Sequence, residues 1–249
     1  MWIIPKRPIL FILLLVTPVL IFPAWAGGKK DALTLAVHYD FFLCDGAVVR
    51  DASGLRHVGK LVNGSIVPGR RRNAVQFDGK GMIVVEGKPE TLDPSGRAFA
   101  IGAACLPTAG DGVIAAMGDR SNGFCLFLKD RKSHFAIRSR GKLVQIGDTE
   151  PLPLKQWSLI LAGMNARGDL WLRVNNAPIA QARGRFLAKR PAEPFCIGAD
   201  PGTPVGDGPT TPAWKGQLQE VRLYWGEFDV TAERETLKDW YDLSGCGCR

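Results

Sequence analysis

The chain has 249 residues, of which 46% are hydrophobic and 22% are charged, and its formal net charge is +8 at pH 7. These values are typical of a folded globular protein and exclude a disordered chain or a coiled coil. Glycine and proline number 29 and 17, which indicates many short elements joined by many turns.

The N-terminus has the features of a secretory signal. Lys6 and Arg7 precede an apolar run over 9–22, and an A-x-A site ends at Ala26. A basic start, an apolar centre and small residues at the end are typical of a cleaved signal peptide. The alternative is a membrane anchor, but prolines interrupt the run and it is shorter than the ~20 residues that span a bilayer.

We therefore expect a signal peptide over 1–26 and a single domain over 27–249. The mature protein is expected to be secreted or periplasmic, outside the cytoplasm, with no membrane-spanning segment after cleavage. A domain of this size can bury roughly 70 to 75% of its unfolded surface, so it needs no metal or disulfide to form a core.

Alternation of apolar and polar residues begins at Leu33 and recurs in short segments separated by turn formers. A period of two residues is typical of a half-buried β-strand. The later segments lie, in chain order, near 75–77, 82–85, 99–106, 113–117, 124–128, 135–137, 143–146, 157–164, 170–174, 179–182, 195–197 and 218–225. The pattern predicts an all-β fold, a two-sheet antiparallel jelly-roll sandwich.

One short helix is predicted near the C-terminus. Thr231 can cap its start, Leu237, Trp240 and Tyr241 form one apolar stripe, and Gly245 can end it.

Six cysteines follow the predicted signal, and an exported protein favours disulfides. Six cysteines allow 15 pairings, which the sequence leaves open. Cys105, Cys125 and Cys196 lie in strand-like apolar runs, where they could equally be small buried core residues. The others are Cys44, Cys246 and Cys248.

Motifs for enzymatic activity are weak. Gly54 to Lys60 matches the spacing of a phosphate-binding loop, but Leu61 stands where that loop needs a hydroxyl. Glu227, Asp229 and Glu233 could supply paired glycosidase carboxylates, but Glu233 falls in the predicted helix and not on the same strand, which favours a solvated strand-to-helix corner. The short run at 70–72 indicates only a soluble surface.

Six blocks of residues occur in a fixed order over about residues 35 to 243. They are Val49–Gly54 with His57–Gly59, Asn73–Gly79, Trp157–Gly163, Leu170–Asn176, Phe195–Ala199 and Gly216–Tyr224. In this order they resemble laminin G-like domains of the concanavalin A-like lectin and glucanase superfamily. The chain departs from the family pattern at Gln219, where an Asp is usual, and at Asn176, where a Gly is usual. The resemblance implies a jelly-roll module that binds a glycan or a protein.

Side-chain direction in the predicted strands indicates a ligand surface. If Leu170, Leu172 and Val174 face the core, Trp171 and Arg173 face outward. The same reasoning places His134 and Arg138 on the outer face of their strand. An exposed Trp beside Arg can bind a sugar ring with an anionic group, although a neighbouring loop that covers Trp171 is an equal alternative.

Metal binding is expected at Asp51, Asp78 and Asp200, which lie in turns, because similar domains often bind calcium. Calcium requires six to eight oxygen ligands, so the loops that carry these residues must converge.

We expect a noncatalytic module that binds an extracellular carbohydrate, an acidic one among the candidates. The alternatives are a protein-interaction or structural module of the cell envelope and a glycoside hydrolase. The expected partner is a glycan or a protein, and not a nucleic acid.

Overall fold

The computed structural model describes residues 32–42, 44–70, 72–88, 90–207 and 213–229. The predicted signal peptide over 1–26, the predicted helix after Thr231, and the cysteines Cys246 and Cys248 lie outside these residues.

The described part of the chain is all β, as predicted. Its fifteen strands are β1 (Thr34–Tyr39), β2 (Cys44–Asp45), β3 (Val48–Val49), β4 (Val58–Pro68), β5 (Asn73–Glu86), β6 (Phe99–Pro107), β7 (Gly112–Gly118), β8 (Asn122–Lys129), β9 (Lys132–Ser139), β10 (Lys142–Gly147), β11 (Ser158–Met164), β12 (Leu170–Val174), β13 (Ala180–Ala182), β14 (Phe195–Ile197) and β15 (Lys215–Trp225). Every pair that these strands form is antiparallel.

The strands form a jelly-roll sandwich, because the long hairpin of β4 and β5 runs from one sheet into the other. The end of β5 pairs with β14, whereas its start pairs with β15. The front sheet has the order β3-β4-β5-β14-β7-β8-β9-β10, and the back sheet has the order β4-β5-β15-β6-β11-β12-β13, with β1 beside β15. At a bulge in this hairpin, Gly81 lies so close to the Asn63 carbonyl that a Cβ would clash.

The main core lies between the two sheets and contains the inward residues of both, such as Phe99, Phe135 and Leu172. A smaller apolar cluster lies on the outer face of each sheet. The front outer cluster is Val113, Ala116, Cys125, Phe127, Ala136 and Val205. The back outer cluster is Ala100, Leu159, Leu161, Trp171, Tyr224 and Phe228. Both outer faces are therefore partly covered, which the alternation alone did not indicate.

Four of the six cysteines are described, and all four are free thiols. Cys105, Cys125 and Cys196 are buried, and burial raises the pKa of each thiol. Disulfides are therefore not supported for these three, and burial favours the alternative that they are small core residues. Among the described residues, no helix has the length and apolarity needed to cross a bilayer.

Candidate functional site

The outer face of the front sheet has a floor of small side chains. A row of paired residues crosses five strands there: Gln145, Ala136, Cys125, Ala116 and Cys196. Alternation along β9 places His134 and Arg138 on the same face, to either side of Ala136. Since a strand rises about 3.3 Å per residue, His134 and Arg138 are about 13 Å apart along it. We call the strip of this face between His134 and Arg138, with the row as its floor, the groove; the small residues of the floor are at most 2% exposed.

The two sides of this groove differ in chemistry. On one side the His134 ring stacks on Phe127, with 5.2 Å between ring centroids and 16° between the planes. On the other side Arg138 is paired with Gly123, which has no side chain to cover the guanidinium. One wall is therefore aromatic and the other is cationic.

His134 presents a neutral ring at neutral pH. Its partial burial, and then the charges of Lys129 and Lys132, lower the pKa of His134 below its usual value, while Asp130 opposes them. The ring is therefore suited to stacking, and the positive charge of the groove comes from Arg138.

A loop that we call the strap, residues 200–207, lies across the groove. Its one large apolar side chain, Val205, is fully buried in the front outer cluster. At Gly206 the backbone lies directly on the floor, since a Cβ there would come 2.9 Å from the Cβ of Ala136. The small floor residues are what allow the strap to lie so close.

Two charged residues hold the backbone of Val205. Arg138 Nε donates to the Val205 carbonyl at 2.6 Å, and the Val205 amide donates to Asp200 Oδ2 at 3.2 Å. Further along the strap, the Asp207 amide donates to Gln145 Oε1 at 3.1 Å, and Arg138 Nη2 lies 3.8 Å from Asp207 Oδ1. Arg138, which was predicted to bind a ligand, and Asp200, which was predicted to bind a metal, thus both form hydrogen bonds with the backbone of Val205.

Asp200 carries a buried carboxyl, with only 4% of the residue exposed. Burial raises the pKa of Asp200 to about 6; the hydrogen bond from Val205 opposes this shift and the carboxylate of Glu193 adds to it. Ionised Asp200 is therefore less stable in the closed loop than in water.

The four predicted ligand residues do not form one site. His134 and Arg138 lie on the outer face of the front sheet, whereas Trp171 and Arg173 lie on the outer face of the back sheet, with the main core between them. Arg173 Nε donates to the Asn175 carbonyl at 3.3 Å.

The direction predicted for Trp171 is correct, but its exposure is not. Trp171 is 3% exposed because Phe228 stacks on it, with 5.6 Å between the ring centroids. The alternative that a neighbouring segment covers this ring therefore holds, and the open platform is absent from the structure of the described residues.

The three predicted metal residues have separate surroundings. The carboxylate of Asp51 accepts hydrogen bonds from the amides of His38, Ser53 and His57 and from the Ser53 hydroxyl, at 2.7 to 2.9 Å. Asp78 is exposed and accepts from the Lys80 amide at 3.0 Å. Within the described ranges, no three metal-ligating side chains come together. Calcium binding thus stays a prediction, and Asp51 acts as a structural acceptor.

A buried ionic cluster on the back sheet escaped the sequence analysis. Glu220 is fully buried at a bulge of β15, with φ of 55°. Its Oε2 lies 2.6 Å from His38 Nε2 and 2.7 Å from Arg222 Nη2. Burial opposes ionisation, but the hydrogen bond of His38 and the charge of Arg222 outweigh it and lower the pKa of Glu220. A signal was present in the sequence: Leu218 and Val221 both face the core although they are three positions apart, an odd spacing that requires a bulge.

No family model matches the chain, and no curated protein matches it. Solved structures do match it. The binding domain of Paraclostridial Mosquitocidal Protein 1 has a TM-score of 0.66 at 16% identity, over 84% of this chain and 53% of that one. Botulinum neurotoxin type C, which depends on two ganglioside molecules to enter cells, has a TM-score of 0.63 at 10% identity, over 83% and 51%. The chain spans about half the length of these toxin chains.

A third similar structure is matched over its full length. It is domain 4 of AbnA, a GH43 extracellular arabinanase from Geobacillus stearothermophilus, in complex with arabinotriose. Its TM-score is 0.59 at 16% identity, and the match covers 86% of this chain and 100% of that domain. The shared property is the fold. This chain is an antiparallel β-sandwich of the jelly-roll type.

The burial of Trp171 predicts a stability effect. Trp171→Ala should lower the free energy of unfolding by about 3 to 5 kcal/mol, because it leaves a cavity under Phe228. Denaturant unfolding measures this, with Leu154→Ala, which truncates an exposed side chain, as the control that should change little. If Trp171→Ala were as stable as the native protein, the prediction that Trp171 forms an open platform would stand instead.

The raised pKa of Asp200 predicts a pH-dependent gain from Asp200→Asn. Folding raises the pKa from 3.8 to about 6, so the folded state binds the proton more tightly. The native stability therefore falls as the pH rises through this window. The variant should melt higher than the native protein at about pH 7.5, and the two should converge at about pH 4. A difference that is largest in acid would contradict this assignment.

Calcium binding can be tested without a variant. A ligand that binds only the folded state raises its stability, so the prediction expects a higher melting temperature in millimolar calcium than in chelator. Equal melting temperatures would dispose of it.

Proposed function

We propose that this protein is a noncatalytic module that binds an extracellular carbohydrate in the groove of the front sheet. The observation that carries the proposal is the set of side chains around the small floor: an aromatic stack at His134, a guanidinium at Arg138 and an amide at Gln145. Sugars have apolar ring faces and hydroxyl oxygens, so an oligosaccharide that spans the groove can meet an aromatic side chain at one end and hydrogen-bond donors at the other.

The fold supports a binding role. Similar jelly rolls include a domain in complex with arabinotriose and the binding domains of toxins. A fold alone does not determine function, so the groove residues carry the argument. We also propose the narrower assignment to the laminin G-like group, which rests on the six sequence blocks, and export by the signal over 1–26.

A glycosidase is the weaker reading of the same fold. The carboxylate of Glu227 accepts a hydrogen bond from the Ala166 amide at 2.9 Å, so it fixes a turn of the back sheet. The second candidate function is binding of a protein partner, because the binding domain of botulinum neurotoxin DC forms a complex with rat synaptotagmin II.

The test is a glycan array probed with the native protein and with Arg138→Gln. We expect binding to one class of oligosaccharide and a loss of at least about tenfold in affinity for the variant, since a hydrogen bond to a charged group contributes about 1.5 to 3 kcal/mol. The matched control is Arg167→Gln, which removes the same charge from an exposed turn of the back sheet.

Two results would contradict the proposal. An array without signal at low or high salt would favour a protein partner. A loss of binding in Arg173→Gln that Arg138→Gln does not share would place the site on the back sheet.

A further inference from the structure

We infer that the strap is a displaceable occupant of the groove and that the ligand which displaces it carries a carboxylate. The inference rests on the proposed function, and it adds the chemical class of the ligand and the regulation of the site. Its first part concerns the strap alone and can be tested without any ligand.

The contacts of Arg138 indicate the class of ligand. Its Nε donates to the carbonyl of Val205, and its Nη2 faces the carboxylate of Asp207. Both acceptors belong to the strap, whereas Nη1 donates to the Gly141 carbonyl of the neighbouring hairpin at 3.2 Å. The strap thus occupies one complete edge of the guanidinium.

Removal of the strap would leave that edge with two parallel donors and no acceptors. Two parallel N–H groups of an arginine match the two oxygens of one carboxylate, and such bidentate pairs are strong and directional. A uronic acid residue of an oligosaccharide supplies that carboxylate, and the sugar residues beside it extend along the groove towards His134. The strap therefore provides the oxygens that an acidic sugar would provide.

The strap is attached through few side chains. Val205 is its buried anchor, while 201–204 are exposed and the Asp207 side chain is 73% exposed. Two long hydrogen bonds hold the exposed part: the Thr203 amide donates to Glu193 Oε1 at 3.3 Å, and the Arg120 amide donates to the Thr203 hydroxyl at 3.4 Å. Lifting Val205 uncovers a floor of Ala116, Cys125 and Ala136, which stays in place because these residues belong to paired strands. Opening therefore requires no change in the sandwich.

Asp200 couples this opening to pH. The groups that face it are the Glu193 carboxylate, the thiols of Cys125 and Cys196, and the Val205 amide. Burial raises the pKa of Asp200 to about 6, so at neutral pH its carboxylate gains hydration when the strap lifts. The strap should close more firmly in acid and open more often at neutral pH.

Thiol labelling measures this opening directly. Cys125 lies under the strap, whereas Cys105 lies in the core between the sheets. Labelling by a thiol reagent, with each site assigned by peptide mass spectrometry, should be at least about tenfold faster at Cys125, because strap opening costs less than global unfolding. Equal rates at the two sites would show that the strap opens only with the whole protein and would overturn the inference.

Two variants should move the labelling of Cys125 in opposite directions. Val205→Gly removes the anchor and should accelerate it, whereas Asp200→Asn removes the buried charge and should slow it at neutral pH. The charge of Asp200 raises the pKa of the Cys125 thiol, so its removal alone would make the thiol more reactive, and slower labelling therefore reports closure. If the labelling rate of Cys125 changed in neither variant, the inference that the strap opens would be contradicted.

The ligand class is tested with oligogalacturonates and their methyl esters. The ester keeps the sugar and blocks the carboxylate, so the free acid should bind at least about tenfold more tightly, with the difference lost in Arg138→Gln. Equal binding of acid and ester in the groove would overturn the ligand class and leave the proposed function standing. If neither the acid nor the ester bound, the ligand class and the proposed function would both be contradicted. The labelling rate of Cys125 would still show whether the strap opens.

Discussion

The closed position of the strap depends on the hydrogen bonds that Arg138 and Asp200 form with the backbone of Val205. Arg138 binds its carbonyl and Asp200 accepts from its amide. Arg138 attaches the strap to the sheet and Asp200 fixes the backbone within the strap, so that the Val205 side chain lies over the small residues of the front sheet. Each interaction is one that a ligand or a change in pH can alter, because the guanidinium can exchange its acceptor and the carboxyl can change its charge.

The floor under the strap follows from the requirements of close approach. A side chain larger than that of Ala136 would keep the backbone at Gly206 away from the sheet, and larger residues than Ala116 and Cys125 would take the space of Val205. The same small residues make the groove accessible to a flat sugar ring when the strap is absent. The same small residues thus allow the strap to pack on the floor and allow a sugar to bind there when the strap has lifted.

The strands could be predicted from the sequence because a period of two residues reports directly which side chains face a core. This reasoning placed Leu170 and Leu172 inward and Trp171 outward, as the structure shows. It did not identify what lies over an outer face, since Phe228 and Val205 reach those faces from loops. Long-range contacts of loops have no period, and this is why the exposure of Trp171 and the strap were missed.

The polar residues show the same limit. Asp51 and Asp200 were both predicted to bind metal from their turns, yet one carboxylate accepts four local hydrogen bonds and the other is buried beside Glu193. A turn sequence indicates that an Asp is present, but only the fold determines whether backbone amides, water or a cation surround it.

Amide hydrogen exchange with a bound uronic acid oligosaccharide tests the central claim most directly. We predict faster exchange at the Asp207 amide, because its acceptor Gln145 belongs to the sheet and is lost when the strap lifts, together with unchanged exchange at Cys105 in the core. Slower exchange at Asp207 on binding, or protection confined to the back sheet around Trp171, would contradict displacement of the strap.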